Sequence, residues 1–246
     1  MIGRFVSYYD VAMEEAEEPD CTRYPHFNAF FTRALRADAR PLGGGDVLCP
    51  ADGAVSQIGS ISQGLILQAK GRYFTVEDLL GGDEARAAQY EGGEFATIYL
   101  SPRDYHRVHM PVAGRLTATT YIPGKLFSVN GVTAENVDRL FARNERLVCH
   151  FSTEHGPMAM VLVGAMIVAG IETVWAGQVA PPPKQPVTID YHALPQAVEL
   201  GSGEEMGRFM LGSTVILLFP RGSIAWEERY AAGAKTRMGE NLASYE

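Results

Sequence analysis

The stretch "FMLGSTVILLF", residues 209–219, sets a Gly-Ser-Thr triplet inside an otherwise apolar run. A strand that only has to be buried rarely places its smallest residue beside two hydroxyls. Gly212 lacks a Cβ, so its carbonyl can be approached closely, and Ser213 puts a hydroxyl nucleophile beside that carbonyl. Taken alone, the triplet reads as a buried strand with a bulge at Gly212. It reads as a reactive site only if a histidine and an aspartate elsewhere serve the serine.

The surroundings of the triplet narrow the setting. With 246 residues, 46% of them hydrophobic and 10% aromatic, the chain can build one substantial core with appendages. A net charge of -8 argues against nucleic acid as a partner. Cys21, Cys49 and Cys149 form no C-x-x-C pair, which suggests neither a disulfide framework nor a zinc ribbon and fits a reducing compartment. The longest apolar run, "MAMVLVGAMIVAGI" at 158–171, falls short of the roughly 18 to 20 residues that cross a bilayer and is expected to be core. The opening "MIGRFVSYYDVAMEEAEEPD" lacks the basic, apolar and small-residue regions of a signal peptide.

The first forty residues read as helical. In "FNAFFTRAL", Phe27, Phe30, Phe31 and Leu35 share one helical face, which either packs on the core or, with Arg33, Arg36 and Arg40, lies at a membrane surface. From residue 46 short strand-like runs follow, "GAVSQIGSI", "GLILQAKGRYF", "FATIYL" and "GRLTATTYI", with "TVEDLLGGDEARAAQY" and "VTAENVDRLFARNE" read as helices. The Pro-rich "APPPKQPVTIDYHALP", 180–195, reads as a surface connection. No β-α alternation and no Gly-rich phosphate loop occurs. The expected fold is α+β, a β-rich catalytic core of antiparallel or mixed sheets over 41–246 behind a helical, membrane-facing segment over 1–40.

Two further clusters could carry chemistry. In "CPADGAV", 49–55, Asp52 either caps a tight turn or serves a site. In "SPRDYHRVHMP", 101–111, Asp104, His106, Arg107 and His109 crowd together. The two histidines share a face in a turn and oppose each other in a strand. A zinc reading lacks a third ligand and a general-base glutamate in a known frame, so proton transfer is the better reading and no metal is expected.

Taken in order, "FNAFFTRALRADARPL", "PADGAVSQIG", "YLSPRDYHRVHMPVAG", "PGKLFSVN", "LFARNERLV", "ETVWAG" and "GEEMGRFMLGSTVILLF" closely resemble phosphatidylserine decarboxylase of the bacterial membrane-associated type. The resemblance covers nearly the whole chain. It implies a proenzyme that cuts itself between Gly212 and Ser213, giving a β chain of 1–212 and an α chain of 213–246 that stay associated. It implies that Asp52 and His109 serve Ser213 in that self-processing, and that Ser213 becomes a pyruvoyl cofactor in place of pyridoxal phosphate. His106 is implied to act in the decarboxylation, as proton donor or in positioning substrate.

By the same resemblance, Phe127 and Ser128 of "LFSVN" contact substrate, phosphatidylserine in the bilayer. The product is phosphatidylethanolamine, made for phospholipid biosynthesis at the cytoplasmic face of the membrane by a peripheral homodimer. Bacterial members usually carry further apolar helical residues ahead of the point matching "IGRFVSYYDV". Three other readings compete: a serine hydrolase that keeps Ser213, a pyruvoyl decarboxylase of a soluble amino acid, and a noncatalytic lipid-binding protein.

Overall fold

The computed structural model describes residues 1–165, 170–179, 184–210 and 213–246, with Ser213 through its backbone. Its main feature is a nine-stranded antiparallel sheet. Ser213–Phe219 lies in the middle, between Gly156–Gly164 and Glu94–Leu100. Beyond Gly156–Gly164 come Arg146–Thr153 and Gly114–Ile122, the latter pairing along its length with Val187–Asp190 and Glu199–Leu200. Beyond Glu94–Leu100 come Gly53–Ser60 and Lys235–Thr236. The 180–195 segment, expected to be a connection, thus supplies an edge strand; residues 180–183 lie outside the described residues.

Both faces of this sheet are covered, and that is why its central strands read as unbroken apolar runs and not as alternating ones. Val215, Leu217 and Phe219 join Met158, Met160 and Leu162 in one core, while Ile216 and Leu218 join Ala159, Val161 and Val163 in the other. Successive side chains of a strand point to opposite faces, so a strand covered on both sides has no polar face to present. The described part of the 158–171 run is core, as expected; residues 166–169 lie outside the described residues.

The first core is closed by two small antiparallel sheets. One joins Gly177–Gln178, Ile171–Thr173, Glu205–Phe209 and Arg107–His109, and the other joins Val47–Leu48, Asn241–Tyr245 and Ile224–Trp226. The second core is closed by the hairpin Leu65–Ala69 with Arg72–Thr75 and by short helices Val76–Leu79, Gly131–Asn136 and Leu140–Arg143.

The two long helices expected at 75–90 and 132–145 are each broken. The first stops at Leu79 before Gly81 and Gly82, which take φ of 83° and 89°, and the chain resumes helix at Glu84 under an Asp83 cap. The second breaks at Arg139, whose φ is 49°. Gln68, 1% exposed, fills that break: its Nε2 donates to the carbonyls of Ala134 and Val137, and its Oε1 accepts from the Leu140 amide.

The N-terminal region is less helical than its sequence suggests. Helix occupies Ile2–Tyr9 and Phe27–Phe31, with a single 3-10 turn at Met13–Glu15. Thr32 ends the second helix by bonding its hydroxyl back to the Asn28 carbonyl, and Leu35 leaves the helical path to bridge with Ala16. Phe30 and Phe31 are buried with Val11, Met13 and Ala16 in a third core. Of the three arginines that could face a membrane, Arg33 and Arg40 turn inward and Arg36 remains at the surface.

Replacing Gln68 by Ala strands two carbonyls and one amide in the interior. At about 1 kcal/mol for each bond, Gln68→Ala is expected to lower unfolding stability by about 3 kcal/mol, read as a lower urea midpoint at unchanged slope.

Candidate active site

Three separated segments meet at the head of the central strand. Ser213 pairs through its backbone with Leu100 on one side and Gly164 on the other. Just upstream, the amide of Phe209 donates to the His106 carbonyl at 3.0 Å and that of Met210 to the Gly170 carbonyl at 2.8 Å. The last described residues before the 212–213 junction are thus tied to the histidine segment, and the first one after it to the sheet. Gly212 lies outside the described residues, as does the Ser213 side chain.

Asp52 stands at the turn into Gly53–Ser60. A Cβ at Gly53 would overlap the Tyr99 carbonyl oxygen, so glycine at that position lets the turn press against the Glu94–Leu100 strand. The Asp52 carboxylate accepts from Arg40 Nε at 3.0 and 3.1 Å, from Arg40 Nη2, and from the Met238 amide at 2.8 Å. Arg40 also pairs with Glu15 at 2.7 Å. Burial opposes the charge on Arg40, but its hydrogen bonds to the two carboxylates outweigh that and push its pKa up.

His109 ends the strand Arg107–His109, and its amide donates to the Pro50 carbonyl two residues before Asp52. Its Nδ1 meets the Gly203 carbonyl at 2.9 Å and its Nε2 meets the Tyr105 hydroxyl at 3.1 Å. A carbonyl oxygen can only accept, so the proton sits on Nδ1 and the lone pair on Nε2. Burial holds the His109 pKa below its ordinary value, so the ring is neutral near pH 7. The partners of Asp52 are Arg40 and Met238, and a direct Asp52–His109 hydrogen bond is absent among the described residues.

His106 is fully buried, and its ring packs on Phe31 with centroids 3.9 Å apart. Its Nδ1 donates to the Asp104 carbonyl at 2.8 Å, while Nε2 has no partner among the described residues. Burial lowers its pKa to about 3, so this ring too is neutral. The two histidines use different partners, His106 the Asp104 carbonyl and His109 the Gly203 carbonyl and Tyr105. Asp104 is spent on the turn, accepting from the Ser101 amide and hydroxyl at 2.6 and 2.7 Å.

Phe127 and Ser128 lie in the loop before the Gly131–Asn136 helix, both half-buried. Asn144, fully buried, accepts from the Phe127 amide and donates from Nδ2 to the carbonyls of Phe127 and Gly164. Gly164 is the register partner of Ser213, so one asparagine ties the loop to the strand head. Arg143 lies over the Phe127 ring at 5.0 Å.

Spacing along the chain points to neither Arg40 nor Tyr105 as part of the site. Arg40 reads as a surface cation, and Tyr105 sits inside the histidine cluster without a pattern that marks it; only folding brings Arg40 to Asp52 and Tyr105 to His109.

Neutral imidazoles whose Nε2 carries the lone pair, beside a carboxylate held in place, are what an enzyme needs to move protons. Comparison with known proteins defines the family. Residues 27–244 match the phosphatidylserine decarboxylase family model. The chain is 62% identical over 242 residues to the phosphatidylserine decarboxylase proenzyme of Pseudomonas putida strain W619, covering 97% of this chain and 84% of that one. It is 57% identical to the proenzyme of Ectopseudomonas mendocina, covering 99% and 86%, and 60% identical to that of Azotobacter vinelandii, covering 98% and 86%. The chain belongs to the phosphatidylserine decarboxylase family, a family of decarboxylating lyases.

Two outcomes follow from the buried charges. Arg40→Ala leaves Asp52 without its cation and Glu15 with Arg237 alone, and stranding the buried Asp52 carboxylate is expected to cost about 3 kcal/mol, read by chemical denaturation. The second concerns pH. His106 and His150, with pKa values lowered by burial to about 3 and about 4, stay neutral when folded, whereas the unfolded chain takes up protons below about 6.5. Stability present above pH 6.5 is therefore expected to fall as pH drops towards 3. His150→Gln, outside the site, should lessen that fall in denaturation midpoints measured between pH 7 and 4, run at about equal salt.

Proposed function

We propose that this chain is made as a proenzyme that cuts itself between Gly212 and Ser213 and then decarboxylates phosphatidylserine to phosphatidylethanolamine and CO2. The reading is carried by the described residues on either side of the 212–213 junction, Phe209 tethered to His106 upstream and Ser213 paired with Leu100 and Gly164 downstream. In the cut, the Ser213 hydroxyl attacks the Gly212 carbonyl carbon, and His109 Nε2 is the base that takes its proton. The Gly212–Ser213 C–N bond breaks and leaves an ester. Loss of the Ser213 α-proton then eliminates the Gly212 carboxylate, and the dehydroalanine that remains adds water and loses ammonia to become a pyruvoyl group. A serine is too weak a nucleophile near pH 7 without such a base.

Tyr105 donates to His109 Nε2, the same lone pair that must take the serine proton, so this hydrogen bond has to open before the attack. Asp52 contributes its negative charge nearby, which favours the imidazolium that forms as the proton moves, and Arg40 keeps that carboxylate oriented.

A pyruvoyl group supplies a carbonyl that accepts the electrons released as CO2 leaves. The residues fit such a group, since the buried His106 Nε2 has no partner among the described residues. With its low pKa, His106 accepts a hydrogen bond and does not start as a proton donor, which favours the positioning role over proton donation. We assign Phe127 and Ser128 as substrate contacts, since Asn144 ties their loop to Gly164, the register partner of Ser213.

The two chains should remain together after the cut. The 213–246 part contributes the central strand and also Ile224–Trp226, Lys235–Thr236 and Asn241–Tyr245 to the sheets, so removing it would open the first core. We assign residues 1–40 as the membrane-facing part. Met1 and Tyr8 are 97% and 81% exposed, and with Arg4, Phe5 and Tyr9 they line an apolar groove on the first helix. No helix among the described residues is long and apolar enough to cross a membrane.

Intact mass of the denatured protein tests the proposal: two chains dividing after Gly212, the smaller one blocked at its N-terminus and reactive toward a carbonyl probe. Ser213→Ala should give one uncut, inactive chain, and His109→Ala nearly the same, with cleavage slowed at least about a hundredfold. His106→Ala should still cut itself but lose turnover. An active, efficiently cut Ser213→Ala protein would overturn the reading.

A further inference from the structure

Arg33 follows the Phe27–Phe31 helix and is 4% exposed, yet it lines a cavity of about 630 Å³ shared with Asp52, Tyr99 and Ser101. Its Nη2 donates to the Arg103 carbonyl at 3.3 Å, while Nε and Nη1 have no partner among the described residues. Other arginines nearby are served: Arg40 by Asp52 and Glu15, Arg107 by Glu205, and Arg237 by Glu15. The two acids nearest in influence, Asp52 and Asp104, are already occupied by Arg40 and by Ser101. The Phe30 ring lies 5.4 Å from the Arg33 guanidinium carbon, which satisfies the face of the cation and not its N–H edge.

A buried guanidinium with most of its donors idle is unfavourable unless a ligand completes it. Its forked edge suits a carboxylate or a phosphate. Asp52, Asp104 and Tyr105, which bonds His109, line the same cavity as Arg33, so its idle donors belong to the same site as the histidine segment.

We propose that Arg33 is the receptor for a phosphate anion, supplied by the phosphodiester of the substrate headgroup. The proposal rests on the phosphatidylserine reading above. The substrate's carboxylate is the poorer partner: it loses its charge on leaving as CO2, so an ion pair would stabilise the ground state more than the transition state and slow the reaction. The phosphodiester keeps its charge throughout, and pairing it anchors the headgroup without that penalty. The N-terminal segment thereby contributes to substrate binding from inside the site as well as facing the membrane.

The test uses Ser213→Ala protein, which keeps the full chain, titrated calorimetrically with glycerophospho-L-serine, inorganic phosphate and L-serine. Glycerophosphoserine should bind, and Arg33→Gln should weaken it about ten- to hundredfold, as expected for losing a charge-assisted hydrogen-bond pair, with Arg33→Lys in between. L-serine binding should not respond to Arg33. In the self-cleaving background, completed cleavage reports that each variant folds, and KM for phosphatidylserine in mixed micelles should rise about tenfold or more while kcat changes little.

Glycerophosphoserine affinity and KM unchanged in Arg33→Gln would overturn the proposal. Inorganic phosphate binding as tightly as the diester, with the same Arg33 dependence, would assign the site to free phosphate and overturn the headgroup part. A protein with Arg33 intact that cuts itself but leaves phosphatidylserine unchanged would sink the functional reading instead, whatever the Arg33 titrations give.

Discussion

The strand Ser213–Phe219 is the constraint from which the rest follows. It is hydrogen-bonded on both sides and covered on both faces, so it cannot shift register by one residue without turning Val215, Leu217 and Phe219 into the wrong core. That fixes Ser213 as the first ladder position after the 212–213 junction. The described side of the 212–213 junction is thus held by two neighbouring strands. The same pairing explains how a chain could be cut there and keep its structure, because the strand's bonds are to neighbours and not to the residue before it.

Around this point the electrostatics are arranged by burial more than by abundance of charge. Two imidazoles are held neutral because water has been excluded from them, and each has its Nδ1 proton fixed by a backbone carbonyl. The carboxylate beside them stays in place because Arg40 meets it through Nε and Nη2 and the Met238 amide donates to it as well. Arg33 is the exception, a buried cation whose edge the described residues leave open. Together these features leave unsatisfied hydrogen-bonding capacity at His106 Nε2 and at Arg33 among the described residues.

Arg33 and Arg40 both come from the first forty residues. Arg107 adds a further tie by donating to the Thr32 carbonyl, and Phe31 supplies the surface on which His106 rests. The aromatic face of that region therefore has two sides, one packed against the histidine segment and the other, at Met1 and Tyr8, open to the surroundings. A movement of this segment against the sheet would be felt at Asp52 and His106 through contacts already in place.

Much of this was legible in the sequence because it depends on local pattern. The apolar runs at 158–165 and 213–219 mark strands without a polar face, and the motifs around Asp52, His106, His109 and Ser213 mark where chemistry could occur. Helix length was misread at 75–90 and 132–145, since propensity says nothing of Gln68 reaching in from a distant hairpin to fill the gap between two short helices. The inward turn of Arg33 and Arg40 was equally invisible, because a cation's sequence neighbours do not state which carboxylate or cavity it will meet. The sequence by itself determined the family and the chemistry-bearing residue types. Only the tertiary structure decided which nitrogen of each histidine is basic, what holds Asp52, and which cation is left idle, since each depends on burial and on partners far apart along the chain.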